Sequence, residues 1–232
     1  MIIRCIDVET LGLEAQDGVC EIGWCDVVSS KVGPVKWMLV NPGKPIPPIA
    51  SAVHHITDED VVGSPYFEDA EREVTCDELA MAGEVIYCAH NASFERKFIQ
   101  TGETEKWICT YKVAVTLAPN APSHNLQALR YWSKLKVDRD LASPPHRAGP
   151  DAYVCAHLLM RFLAKKTIEE MVAISAVPLL LPKLHFGKHA GKPCSEVPAD
   201  YWDWVLKNIT DDEDVQYTAK HWLKAASEPA AA

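Results

Sequence analysis

Asp7 and Glu9 stand two residues apart in the opening run IIRCIDVET. Residues i and i+2 of a β-strand point to one face, and the apolar neighbours Ile3, Cys5, Ile6 and Val8 mark a central strand. Carboxylates on a buried face are costly unless paired or bound to a cation, so the chemistry this pair offers is metal binding. The alternative is a strand end where both acids meet water. Glu95 follows a short apolar run in AHNASFERKF, and its alternative is a solvated helix acid beside Arg96 and Lys97. His146 and Asp151 lie in PHRAGPDA. Their alternatives are an ordinary loop histidine and a first-turn aspartate favoured by the helix dipole.

These residues need a scaffold. Runs rich in β-formers predict strands over 2–8, 19–28, 35–40, 84–88 and 107–109, with a hairpin turn over 29–34. A Pro-rich loop is expected over 41–52. Thr57-Asp-Glu-Asp60 reads as a capping box at a helix start, with a polar helix over 65–81. Further helices are expected from near Ala92, over TYKVAVTLA, and from SHNLQAL with Ser123 or Asn125 as cap. A strong apolar helix is expected over Asp151–Leu163, with Pro150 fitting its first turn. Three strands that read as antiparallel, then strand–helix units, predict an α/β fold with a mixed sheet flanked by helices. The segment 176–183 reads as a hinge. We therefore expect a main domain over 1–175, a linker over 176–183, a small C-terminal module over 184–225 and a disordered tail over 226–232.

Composition narrows the class. With 232 residues, 48% hydrophobic and 24% charged, the chain is expected to be globular, one large domain with room for a small module. No apolar run is long enough to span a membrane, and Arg4 and Asp7 interrupt the N-terminal run. A soluble cytoplasmic protein with no membrane partner is the expectation. Eight cysteines without a C-x-x-C pair read as reduced, mostly buried thiols. A net charge of −9 counts against a classical basic nucleic-acid binder. It leaves room for a metal-dependent nuclease, because bound divalent cations reverse the local charge.

Asp-x-Glu-Thr at 7–10, His-Asn-x-x-Phe-acid at 90–95 and His-x-x-x-x-Asp at 146–151 resemble, in this order and spacing, the motifs of the DEDDh 3′–5′ exonuclease family, on the ribonuclease H-like fold. Ala52-Val-His-His-Ile-Thr57, Cys109-Thr110 and Asn125-Leu126-x-Ala-Leu129 sit where that family has similar segments, so the resemblance covers about residues 1–165. In the tail, FGKHAGK and Val197-Pro-x-x-Tyr201-x-x-Trp204 resemble the small C-terminal module of the family's exonuclease X branch.

The resemblance implies an exodeoxyribonuclease that releases nucleoside 5′-monophosphates from DNA 3′ ends, single- or double-stranded, in DNA repair or turnover. It also implies a homodimer. Two divalent ions, Mg²⁺ or Mn²⁺, would sit about 3.5–4 Å apart. Asp7 would bridge them, Glu9 and Asp151 would complete the first site, and Glu95 would support the second. His146 would be the general base, since a neutral imidazole near pH 7 can take the proton of the attacking water. Val8, Thr10, Leu13, His90 and Asn91 would face the nucleic acid, although Leu13 alternatively returns to the core. An exoribonuclease on the same fold and a catalytically weakened nucleic-acid-binding accessory protein are the other readings.

Two features depart from the family pattern. Glu95 replaces the usual aspartate, and its longer arm implies an altered metal preference, towards Mn²⁺. Gly149-Pro150 precedes Asp151, and a proline there biases Gly149 away from helix, which places His146 on a mobile loop. In the tail, FGKHAGK has too short a spacing for a Walker-type loop and lacks the Ser or Thr such a loop requires. His185, His189 and Cys194 lack an obvious fourth zinc ligand. Lys183, Lys188 and Lys192 read either as a DNA-backbone contact or as a solvated turn. Trp202 and Trp204 cannot both face the same way on one helix.

Overall fold

The computed structural model describes residues 1–75, 84–101, 105–210 and 212–227. Five strands, β1 (Ile2–Thr10), β2 (Val19–Val28), β3 (Lys31–Leu39), β4 (Val85–Ala89) and β5 (Trp107–Cys109), form one sheet in the order β3-β2-β1-β4-β5. β1 pairs antiparallel with β2, as β2 does with β3, whereas β1–β4 and β4–β5 are parallel. The sheet is mixed, as the strand pattern predicts. β1 is central and covered on both faces, which is why it reads as a nearly continuous apolar run.

The described helices are α1 (Pro48–His54), α2 (Phe67–Thr75), α3 (Ala92–Phe98), α4 (Thr110–Leu117), α5 (Leu126–Trp132), α6 (Ala148–Leu163), α7 (Ile168–Ser175), α8 (Ala199–Asn208) and α9 (Glu213–Ser227). They divide by contacts into two compact units. One holds Met1–Ala114 with Asn120–Ser175, and the other Val115–Pro119 with the residues from Ala176 onward. No helix among the described residues is long and apolar enough to cross a membrane.

Several local expectations are corrected. The hairpin turn is only Ser29-Ser30, both at positive φ (49° and 60°), so β3 starts at Lys31 rather than at 35. Two left-handed residues match the twist of a two-residue hairpin, and Pro34 is tolerated because β3 is the sheet edge. The Pro-rich segment is not all loop. Pro48 opens α1 at a position whose N–H has no intrahelical partner to lose. Thr57 and Asp60 make capping-type bonds, with Thr57 N–H and Oγ1 each 2.8 Å from Asp60 Oδ2, yet only a turn follows. α2 begins at Phe67, and the expected continuation over 76–81 lies outside the described residues. Asn125 caps α5, accepting from Ala128 N–H at 2.8 Å. Of the expected tail, Ala226 and Ser227 close α9, and 228–232 lie outside the described residues.

The two faces of β1 do different things. Ile6 and Val8 join a cluster with Trp24, Ala70, Val74 and Tyr87. The odd face carries Cys5, Asp7 and Glu9, and α6 lies over it, bringing Cys155 to Cys5 and Asp151 to Asp7 and Glu9. The seven described cysteines are free and buried. In the C-terminal unit Trp202 is buried, whereas Trp204 is exposed and stacks on Tyr201 with ring centroids 5.4 Å apart.

Candidate active site

Asp7, Glu9 and Asp151 each offer a carboxylate oxygen, and the three oxygens lie within 4.8 Å of one another. The strand places the first two on one face, and the first turn of α6 supplies the third. Burial, then the charges of Asp151, Glu9 and Glu95, push the Asp7 carboxyl well above the usual carboxylate range. Burial, with Asp151 and Glu21 adding to it and Arg147 opposing it, raises Glu9 from 4.5 to about 8. Asp151 is raised by burial, and hydrogen bonds limit the rise. Its Oδ1 accepts from Gln127 Nε2 at 2.6 Å and its Oδ2 from His146 N–H at 2.8 Å.

Glu95 is not a solvated helix acid. It is buried on α3, its Oε2 has no hydrogen-bond partner, and burial raises its carboxyl well above the usual range. It bears electrostatically on Asp7 without joining the close trio. Hard oxygen donors, mutual repulsion and an orphaned buried oxygen fit a divalent cation of the Mg²⁺ or Mn²⁺ kind. One layer below, the thiols of Cys5, Cys88 and Cys155 cluster in the core, and burial keeps those of Cys5 and Cys88 protonated.

The strand before Glu95 ends for a visible reason. His90 Nε2 sits 2.8 Å from His124 O, which can only accept, so this nitrogen carries the proton. Nδ1 sits 2.9 Å from Thr110 Oγ1. Burial lowers the pKa of His90, consistent with a neutral ring. Both ring nitrogens are thus committed to protein. Asn91 turns the chain at φ 81° into α3 and is exposed. Leu13 is 72% exposed, so it does not return to the core. Val8 is buried, and Thr10 Oγ1 donates to Gly12 O at 2.6 Å. The β1–β4 ladder ends at Cys5 and Cys88, so the backbone of Asp7–Thr10 runs on beyond it.

His146 is exposed at φ 58°, immediately before α6. Gly149 is not turned away from helix. α6 starts at Ala148, with Arg147 as N-cap, so Pro150 falls where N–H groups have no intrahelical partner anyway. What holds this helix start is Glu21, a residue the motifs do not point to. Glu21 lies opposite Glu9 across the β1–β2 ladder and is fully buried. Its carboxylate accepts from Arg147 Nε at 3.0 and 3.1 Å, from Arg147 Nη2 at 2.5 Å and from Ala148 N–H at 2.8 Å. Gln127 is the other residue that sequence reasoning missed. Its place just after the Asn125 cap was the available signal.

Gly23, two residues beyond Glu21 on the same strand face, lets the backbone of α6 come close. A Cβ there would overlap Ala148 C and Gly149 N. Backbone cannot yield as a flexible side chain does, so Gly23→Ala should cost about 3 kcal/mol, at the upper end of overpacking penalties. Equilibrium urea unfolding measures this directly, and an unchanged midpoint would contradict the close seat.

The RNase T exonuclease family profile matches residues 5–159. Exodeoxyribonuclease 10 of Escherichia coli strain K12 is 36% identical over 228 residues, 96% of this chain and 99% of the relative. The structure of exonuclease X in complex with 5′-overhanging duplex DNA superposes with a TM-score of 0.63 at 36% identity, over 75% of this chain and 99% of that one. The nuclease domain of 3′hExo, a DEDDh family member bound to rAMP, gives 0.59 at 15% identity, over 70% and 92%, and speaks to the fold alone.

Proposed function

The chain belongs to the DEDDh family of 3′–5′ exonucleases, and from that premise we propose that it removes nucleotides from DNA 3′ ends with the aid of divalent cations. The observation that carries this reading is the meeting of Asp7, Glu9 and Asp151 oxygens within 4.8 Å. Similarity to a curated exodeoxyribonuclease over 96% of the chain favours DNA over RNA.

In this reading Asp7, Glu9 and Asp151 would hold one cation, and Asp7 with Glu95 would serve a second. When bound, such ions lower the pKa of the attacking water and stabilise the charge that develops on the phosphodiester oxygens. His146 would accept the proton of the attacking water, and its exposure would let it return that proton to solvent. The backbone of Val8–Thr10 and the exposed Leu13 receive the terminal nucleotide. Asn91 lies at the rim beside α3.

Labelled single-stranded DNA, duplex DNA and RNA, each with Mg²⁺ or Mn²⁺, test the proposal. Release of 5′-mononucleotides from DNA 3′ ends is expected. Preferential cleavage of RNA would assign the ribonuclease reading, and no cleavage with either metal would leave an accessory nucleic-acid binder.

The length of the arm at position 95 makes a separate prediction. Glu95→Asp draws the buried carboxylate back by one methylene, so the ratio of Mg²⁺-supported to Mn²⁺-supported rates should change by about tenfold, the equivalent of 1.4 kcal/mol. Equal ratios in parent and variant would show that this arm does not tune the site.

A further inference from the structure

We propose that Glu21 and Arg147 are positioning residues: the pair sets the segment carrying His146 and Asp151 without touching the substrate. The inference rests on the reading of His146 as proton acceptor and Asp151 as ligand.

Glu21 is an expense the site has to justify. A fifth carboxylate, with no solvent exposure, sits across the ladder from Glu9 and raises the pKa of that residue further. A buried acid is tolerated when it is paired and its remaining lone pairs are satisfied. Here both conditions hold, and among the described residues the hydrogen bonds to the Glu21 carboxylate come from one short segment, Arg147 and Ala148. Arg147 occupies the N-cap position of α6 but gives no side-chain cap bond. Glu21 supplies the missing acceptor from another strand and puts negative charge at the helix start, where the dipole favours it.

The consequence falls on the residue before. His146 stands at φ 58°, a conformation that non-glycine residues adopt only when their surroundings hold them. That conformation turns the His146 N–H onto Asp151 Oδ2 at 2.8 Å. The segment is therefore pinned on one side by the Glu21 carboxylate and on the other by Asp151. Gly23 permits the close seat between them. Loosening the Glu21 side frees His146 and Asp151 together.

The test uses the full chain and two readouts. Glu21→Gln keeps the shape and an acceptor for Ala148 N–H but removes the ion pair, and Arg147 is exposed enough to be solvated. Amide hydrogen exchange on the metal-free protein should show faster exchange, by tenfold or more, over 146–151, with β1 and β2 unchanged. On single-stranded DNA with Mn²⁺, kcat should fall roughly 10- to 100-fold, the scale of a small misplacement of reacting groups, with KM within about threefold. In a His146→Ala background the same substitution should lower kcat by a smaller factor than in the parent, because the share of its effect transmitted through His146 is already lost and only the share through Asp151 remains.

Unchanged exchange over 146–151, unchanged kcat, or full multiplication of the two effects would each overturn the proposal. If Glu21→Gln does not fold, Arg147→Lys, which keeps the charge but not the fork, carries the same comparisons. If the parent protein cleaves nothing, the functional reading and the proposal fall together. If the parent cleaves, Asp7→Asn is inert and Glu21→Gln is fully active, only the positioning role falls.

Discussion

Asp7→Asn should abolish cleavage and at the same time make the metal-free protein harder to melt. The first effect follows from the place of Asp7 on β1, where burial and the charges of Asp151, Glu9 and Glu95 all act on it. In the proposed reading Asp7 would serve both cations and so support several kcal/mol of transition-state stabilisation, and its loss should lower kcat by three to four orders of magnitude. The second effect follows from the same crowding. In the absence of cations the four acids destabilise one another, and an uncharged amide of equal size removes one of them. A relief of about 1–2 kcal/mol corresponds to a rise in melting temperature of roughly 2–8 °C for a chain of this size. A group conserving function at the expense of stability behaves in this way. Steady-state cleavage of a labelled oligonucleotide and a melting curve of the metal-free protein at pH 8 read the two effects. Loss of activity together with a lower melting temperature would make Asp7 a structural residue instead.

What could be read from the sequence divides along a physical line. β1 and β2 are legible because a strand buried on both faces is apolar over most of its length, and two acids interrupting such a run at i and i+2 share a face. Asp151 is legible as a first-turn acid on an apolar helix. The failures are of two kinds. Local signals mislead where backbone conformation is hidden by ordinary side chains. Ser29-Ser30 closes a hairpin without glycine or asparagine. Thr57 and Asp60 form capping bonds with no helix behind them. Gly149 looks turned away from helix by the proline after it, yet the helix starts one residue earlier, at Ala148. Long-range partners leave no trace at all. Glu21 and Arg147 are 126 residues apart, and nothing in VCEIGWC announces that its glutamate will seat the start of a helix so distant in the chain. Likewise the imidazole of His90 looks free in AHNASF, and only the fold brings the carbonyl of His124 to it.

Divalent cation should stabilise the protein strongly at pH 8 and little at pH 5. Glu9 gives the sign: its carboxyl titrates near 8 in the folded chain against 4.5 ordinarily. Below pH 4.5 it is protonated in both states and contributes nothing. Between 4.5 and 8 the unfolded chain gives up the proton while the folded chain retains it, so stability of the metal-free protein falls as pH rises. Each pH unit costs about 1.4 kcal/mol, and the loss levels off above 8 at a total on the order of 5 kcal/mol. Asp7, Asp151 and Glu95 are shifted in the same direction and act with the same sign. A cation must displace these protons to bind, so its affinity rises with pH over the same window. At a hundredfold excess over its dissociation constant it adds about 2.7 kcal/mol, or roughly 5–10 °C in melting temperature. Melting curves from pH 5 to pH 8.5, with and without Mn²⁺ or Mg²⁺, measure the difference, and Asp7→Asn serves as the control in which most of the shift should vanish. A metal-induced shift that is the same at pH 5 and pH 8, or that survives in Asp7→Asn, would place the cation somewhere other than among these carboxylates.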